Sequence, residues 1–297
     1  MMPKSANEFV EQQLNERLSL VEDAFDSDAL CIVGPLFDGV DDLIRAEIQG
    51  MQGRETRRAR LAVMLTTPGG FIETVDRIVA TFRHHYPDHV SFIVPNYAYS
   101  AGTVMVMSGD EIFMDYYSRL GPIDPQVETR SGRQVSALGY LKQWERLMKK
   151  AEAGELNTAE FQLMIAGFDQ GELYDFEQAR DLSISLLKEW LVRYKFKDWH
   201  RTETRQVPVT NEMREGRAEA IAKDLQNTDK WHSHGRGISM AVLQRDLNLK
   251  IDDLERDAER CERVKQYHDL LADYMVKLGR SGMLHTVDSF VTYLKEE

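Results

Sequence analysis

Residues 89–114 read HVSFIVPNYAYSAGTVMVMSGDEIFM and contain, in order, a strand, a corner, a short helix and a second strand. The first run is rich in β-branched and aromatic residues, which is typical of a buried strand. The small residues Ala101 and Gly102 then begin a nearly all-apolar stretch, which predicts a buried helix. Ser100 therefore lies where a strand turns into a helix.

The same alternation occurs earlier in the chain. The runs ALCIVGPLF (29–37) and RLAVMLTTPGG (60–70) predict strands, and each is followed by a segment with helical periodicity. Alternating strands and helices predict an α/β protein with parallel β-α-β units, whose strands end at one edge of the sheet. Binding sites in such sheets lie outside that edge, where TTPGG and AYSAG would meet.

The rest of the chain is predicted to be mostly helical. We expect an N-terminal helix within residues 1–28, a catalytic core over 29–200 and a helical C-terminal extension over 201–297. The long charged run DDLERDAERCERVKQYHDLL in that extension is typical of a helix that forms a partner or oligomer surface.

Composition excludes several classes of protein. The chain has 297 residues and a net charge of −12. An acidic surface disfavours binding to nucleic acid and to anionic membranes. The sequence has no apolar run of the length that crosses a bilayer, so we expect a cytoplasmic protein with no membrane anchor.

Acyl transfer needs a nucleophile, a base and donors for the oxyanion. Ser100 supplies a hydroxyl, the Ala101 N–H lies beside it, and Gly69 and Gly70 let backbone amides approach a substrate closely. Either corner alone is equally compatible with a tight turn. The sequence has no P-loop, GxGxxG or HExxH motif, so we expect no nucleotide cofactor, no metal and no dependence on ATP.

Taken together, TTPGG, YSAG and LGPIDPQ (120–126) resemble the Clp protease/crotonase superfold, including signal peptide peptidase A. The likeness is greatest to the serine dehydrogenase proteinase family. The resemblance implies a β-α-β spiral core, a Ser100 nucleophile and an oxyanion hole made by the Gly70 and Ala101 amides. It also implies that Gly69 and Asp124 contact a peptide or protein substrate and that the protein is a homo-oligomer.

The general base is the point where the chain departs from that pattern. Clp proteases take a histidine from the loop that here reads SRLGPIDPQ, and the matching position falls on Ile123 or Asp124. Asp124 would be a poor base for serine and could instead anchor the loop. Signal peptide peptidases use lysine, which makes Lys142 one candidate base. His234, in KWHSHGRGIS, is the other.

Two further functions remain open at this level. One is a crotonase-type enzyme, in which the same amides would hold the enolate of an acyl-coenzyme A thioester. The other is a non-catalytic scaffold or regulatory subunit, motivated by the missing histidine. A peptidase that needs an activating partner protein is compatible with the same residues.

Overall fold

The computed structural model describes residues 5–124, 126–128, 132, 134–231 and 237–295. It is a mixed α/β structure built around one large sheet. In chain order the strands are β1 (Asp28–Val33), β2 (Leu61–Thr66), β3 (Val90–Val94), β4 (Tyr97–Ala98), β5 (Glu111–Met114), β6 (Arg119–Leu120), β7 (Gln126–Glu128), β8 (Gln134–Ser136), β9 (Ile238–Ser239), β10 (Asp252–Asp253), β11 (Arg280–Thr286) and β12 (Ser289–Lys295).

The helices occupy the segments between these strands. They are α1 (Ala6–Phe25), α2 (Val40–Met51), α3 (Ile72–His85), α4 (Ala101–Val106), α5 (Ala137–Glu152), α6 (Thr158–Gly167), α7 (Gln170–Trp190, continued by a π-helical turn at Leu191–Lys195), α8 (Asn211–Gln226), α9 (Thr228–Trp231), α10 (Met240–Leu247) and α11 (Ala258–Leu278). The helical interpretation of the segments between residues 29 and 114 is confirmed.

Seven of the described strands form the central sheet, in the order β10-β5-β3-β2-β1-β11-β12. The pairs β1–β2, β2–β3 and β3–β5 are parallel, as the β-α-β pattern predicts. A smaller sheet, β4-β6-β9, lies beyond the ends of these strands. It brings the segment before Ser100 next to the segment before Asp124.

Both faces of the central sheet are covered, which explains why its strands are apolar without alternation. In β1, Leu30 and Ile32 face a core shared with α2, α3, α4 and α7. Ala29 and Cys31 face a second core shared with α1 and α11. The N-terminal helix therefore packs on the protein's own core.

The C-terminal region differs from the predicted helical extension. β11 pairs antiparallel with β1, and β12 pairs with β11, so residues 280–295 complete the central sheet. Without β11, the edge of β1 would present unpaired backbone groups. The long helix α11 buries Tyr267 and Leu271 against that sheet. A partner surface on the exposed face of this helix remains a prediction.

Across the described ranges, every helix is too short or too polar to span a membrane.

Candidate active site

Ser100 occupies the corner between β4 and α4. Its backbone has φ 52° and ψ −121°, and the residue is completely buried. A positive φ is costly for a residue with a Cβ and is concentrated at functional sites. A sharp, strained strand-to-helix turn of this kind presents the nucleophilic serine in α/β-hydrolases. The backbone strain at Ser100 therefore distinguishes this corner from an ordinary strand-to-helix turn.

The glycine corner lies directly against Ser100. A Cβ added at Gly69 would lie 2.9 Å from the Ser100 Cβ and 3.4 Å from the Ala101 nitrogen. Gly69 also has φ 108°, a region that favours glycine. The structure thus brings together the two corners that the sequence placed at one edge of the sheet.

The orientation of Gly70 follows from its neighbour Leu36. The Leu36 N–H donates to the Gly69 carbonyl at 2.8 Å. Because a trans peptide directs its N–H opposite to its C=O, the Gly70 N–H points away from Leu36. Gly70 must be glycine here, since an added Cβ would lie 2.0 Å from the Leu36 oxygen.

Two backbone amides at this site have no acceptor among the residues that the structure describes. Within the described part of the chain, neither the Gly70 N–H nor the Ala101 N–H donates to a protein acceptor. Two amides beside a serine can together stabilise an oxyanion on a carbonyl under attack. The geometry is compatible with the oxyanion hole that the resemblance implies.

The Ser100 hydroxyl donates to the backbone carbonyl of Asp124 at 2.6 Å. The Asp124 carboxylate points elsewhere: it accepts from the Leu138 N–H at 3.0 Å and from the Ser136 hydroxyl. Both of these partners belong to the first turn and cap of α5. Asp124 therefore anchors its loop to α5, and a contact between Asp124 and substrate remains a prediction.

The two candidate bases are placed unequally. Lys142 lies on α5, one turn after Leu138, and is exposed. His234 lies outside the described residues. In this structure the single hydroxyl hydrogen of Ser100 is directed at a carbonyl, not at an amine or imidazole.

Sequence reasoning missed two residues at the site. Thr67 and Thr103 are fully buried and make side-chain hydrogen bonds to the backbone of the corners. The available signal was a threonine directly beside an apolar run, as in LAVMLTT and SAGTVMVM. A buried hydroxyl needs a hydrogen-bond partner, so each of these threonines could have been predicted to bind a nearby backbone group.

Among the described residues, no three His, Cys, Asp or Glu side chains come together as a set of metal ligands.

Residues 54–189 match the ClpP-like SDH-type serine proteinase family. The match confirms the resemblance predicted from TTPGG, YSAG and LGPIDPQ. The segment that matches the SDH-type proteinases includes both glycines, Ser100, Asp124 and Lys142. It ends before His234.

Curated relatives match over shorter segments. An uncharacterized protein of Methanocaldococcus jannaschii is 38% identical over 65 residues, which is 22% of each chain. A second uncharacterized protein of that organism is 34% identical over 80 residues, or 27% of each chain. The alignments thus span about a quarter of the relatives' lengths.

Two solved structures of the 1510-N membrane-bound stomatin-specific protease are also similar. A serine-to-alanine mutant has a TM-score of 0.45 and 12% identity, covering 79% of this chain and 82% of the other. A lysine-to-alanine mutant with a substrate peptide has a TM-score of 0.44 and 14% identity, covering 91% and 86%. The fold assignment rests on the sheet order and parallel pairing described above.

Proposed function

We propose that this protein is a serine peptidase with Ser100 as nucleophile and the Gly70 and Ala101 amides as the oxyanion hole. The observation that carries the proposal is the contact between the two corners. It sets two amides, which have no acceptor in the described part of the chain, beside a strained, buried serine. The family match over residues 54–189 supports the general class of serine proteinase.

The reaction needs only the chain's own groups and water. Ser100 Oγ attacks the carbonyl carbon of the scissile peptide while the base takes the hydroxyl proton. The two amides hold the oxyanion of the tetrahedral intermediate. The C–N bond then breaks, the base returns the proton to the leaving amine, and water hydrolyses the acyl-enzyme. The scheme uses no ATP, metal or cofactor.

Attack requires a change at Ser100, because its proton is now directed at the Asp124 carbonyl. We propose Lys142 as the group that replaces this carbonyl. It lies in the family-matched segment, on the helix whose first turn binds Asp124. A neutral lysine amine can accept the proton of a serine hydroxyl. His234 is the alternative base.

Labelling by a fluorophosphonate tests the nucleophile. We expect one label per chain on Ser100, and none on Ser100→Ala with its fold retained. Lys142→Met and His234→Gln then identify the base, because removing a general base lowers the rate about 10²–10⁴-fold. Absence of labelling and of peptide cleavage in the unmodified protein would overturn the proposal. Coenzyme A binding would then favour the crotonase-type reaction, and intact partner binding by Ser100→Ala would favour a scaffold.

We further propose a cytoplasmic homo-oligomer acting on peptides or proteins, with or without an activating partner protein. The resemblance to Clp-type proteases supports a homo-oligomer and a peptide or protein substrate, and the net charge of −12 disfavours nucleic acid and anionic membranes as partners.

A further inference from the structure

Thr67 joins the glycine corner to the serine corner through its side chain. Its Oγ1 accepts a hydrogen bond from the Gly69 N–H at 3.0 Å. Its methyl group faces Gly102 in the first turn of α4, where an added Cβ would lie 2.4 Å from Thr67 Cγ2. One buried side chain therefore contacts both halves of the proposed site.

The backbone of Thr67 binds the segment that leads to Ser100. Its N–H donates to the Tyr97 carbonyl, and its carbonyl accepts from the Tyr99 N–H, each at 3.0 Å. These bonds set the register between the end of β2 and the residues just before Ser100. The Thr67 hydroxyl then fixes the position of Gly69 relative to these residues.

Gly69 is consequently held from two sides. Thr67 Oγ1 holds its N–H, and the Leu36 N–H holds its carbonyl. Because both peptide groups of Gly69 are fixed, the direction of the Gly70 N–H is fixed as well. Releasing one side would let the Gly69–Gly70 segment rotate.

Thr103 makes a different connection and provides a matched comparison. Its hydroxyl contacts the Ala98 carbonyl at 2.8 Å and the Gly121 backbone at 3.0 Å. It links α4 to the loop that carries Asp124, and its side chain makes no recorded hydrogen bond to Gly69 within the described residues.

We propose that Thr67 is a positioning residue, whose hydroxyl aims the Gly70 N–H at the oxyanion that forms beside Ser100. This inference rests on the proposed function. Oxyanion binding strengthens in the transition state, so loss of the Thr67 hydroxyl lowers the rate of the chemical step and leaves ground-state binding unchanged.

The test compares Thr67→Val, which keeps the shape and removes the hydroxyl, with Thr67→Ser, which keeps the hydroxyl. For fluorophosphonate inactivation we expect the maximal rate to fall about 10- to 100-fold in Thr67→Val, with the half-saturating concentration unchanged. Thr67→Ser should stay within about threefold of the unmodified rate, since its acceptor remains. Equal rates in Thr67→Val and the unmodified protein, or equal losses in both variants, would overturn the inference.

Amide hydrogen exchange at Gly69 separates this inference from the proposed function. We expect faster exchange in Thr67→Val and unchanged exchange in Thr67→Ser and Thr103→Val. If Ser100 is never labelled, the peptidase proposal is overturned, but amide exchange still shows whether the Thr67 hydroxyl restrains the Gly69 N–H. Unchanged exchange at Gly69 in Thr67→Val would show that it does not. If Thr67→Val does not fold, Thr67→Ala replaces it, because Ala and Ser differ by the hydroxyl alone.

Discussion

The hydroxyl of Ser100 and the backbone carbonyl of Asp124 are joined by a 2.6 Å hydrogen bond. A carbonyl cannot accept the proton that Ser100 would lose in the proposed reaction, so that reaction requires this pairing to be exchanged for a base. The Asp124 carboxylate is bound at the start of α5. Ser100, the proposed nucleophile, is thereby linked to the position of that helix.

Loosening the Asp124 loop should affect Ser100. Ser136 caps α5 by accepting from the Gly139 N–H and also donates to the Asp124 carboxylate. We expect Ser136→Ala to cost about 1 kcal/mol of stability and to increase the rate of Ser100 labelling severalfold, because the loop is less firmly held. Thermal melts and labelling rates measure the two effects.

Asn157→Ala is the matched control, since Asn157 caps α6 by accepting from the Glu160 N–H. It should cost similar stability and leave labelling unchanged. A slower rate in Ser136→Ala would show that the loop supports the reaction in its present position.

Gly70→Ala should disable the glycine corner. The new Cβ would lie 2.0 Å from the Leu36 oxygen, so the corner or the segment after β1 must move. We expect at least about a 100-fold loss of labelling, the effect of removing one oxyanion donor, together with a lower melting temperature. Gly216→Ala, an open site in α8, should be neutral or slightly stabilising. Retention of normal labelling in Gly70→Ala would exclude the Gly70 amide from the reaction.

Asp110 lies in a buried charge cluster at the start of β5. Its carboxylate lies 2.8 Å from Arg83 and 2.7 Å from Lys197, and it accepts from the Val90 N–H. Burial acts to raise the pKa of Asp110, but Arg83, Lys197 and the Val90 amide outweigh burial and lower it. Stability from this carboxylate is therefore present above the unfolded pKa of about 3.9 and is lost as pH falls through the lower folded pKa.

Asp110→Asn should cost about 3–5 kcal/mol at neutral pH, because it leaves the Arg83 guanidinium buried without its counter-charge. In denaturant melts at a series of pH values, the free energy of unfolding of this variant should also decrease less on acidification below about pH 4 than that of the unmodified protein. Asp246→Asn is the control. Asp246 pairs with the exposed Arg245, so removing its charge should leave the free energy of unfolding nearly unchanged. An equal loss of stability in Asp110→Asn and Asp246→Asn would contradict the conclusion that the buried charge cluster around Asp110 stabilises the fold.

Burial of His285 should make the free energy of unfolding depend on pH. Burial lowers the pKa of His285 to about 3. The Asn15 side-chain oxygen can only accept, so it takes the hydrogen of Nε2, and the Tyr267 hydroxyl then donates to Nδ1. Both nitrogens of the neutral ring are therefore hydrogen-bonded. The unfolded chain binds a proton below about pH 6.5 and the folded chain does not, which costs about 1.4 kcal/mol per pH unit on acidification.

His285→Gln should remove that slope between about pH 6.5 and pH 4.5 in denaturant melts. The same substitution at the exposed His84 should leave the slope unchanged. A slope that persists in His285→Gln would assign the acid sensitivity to other groups.

The sequence by itself determined the local elements and the two corners of the site. Strand and helix periods are set by neighbouring residues, so β1, β2 and β3 were readable from apolar runs and α3 from its amphipathic face. Glycine and proline indicate turns through their own backbone preferences, so TTPGG and YSAG could be predicted to form corners. The general rule for parallel sheets then placed both corners at one edge.

Only the tertiary structure decided which distant segments meet. Three contacts join segments that are distant in the chain: the pairing of β11 with β1, the hydrogen bond from Ser100 to Asp124 and the contact from Thr67 to α4. The local sequence of one segment gives no information about its partner. Such contacts depend on how the whole core closes, because many strand orders bury the same apolar faces. The corner that holds Ser100 could therefore be recognised from the sequence, whereas the acceptor of its hydroxyl hydrogen bond could be identified only in the folded chain.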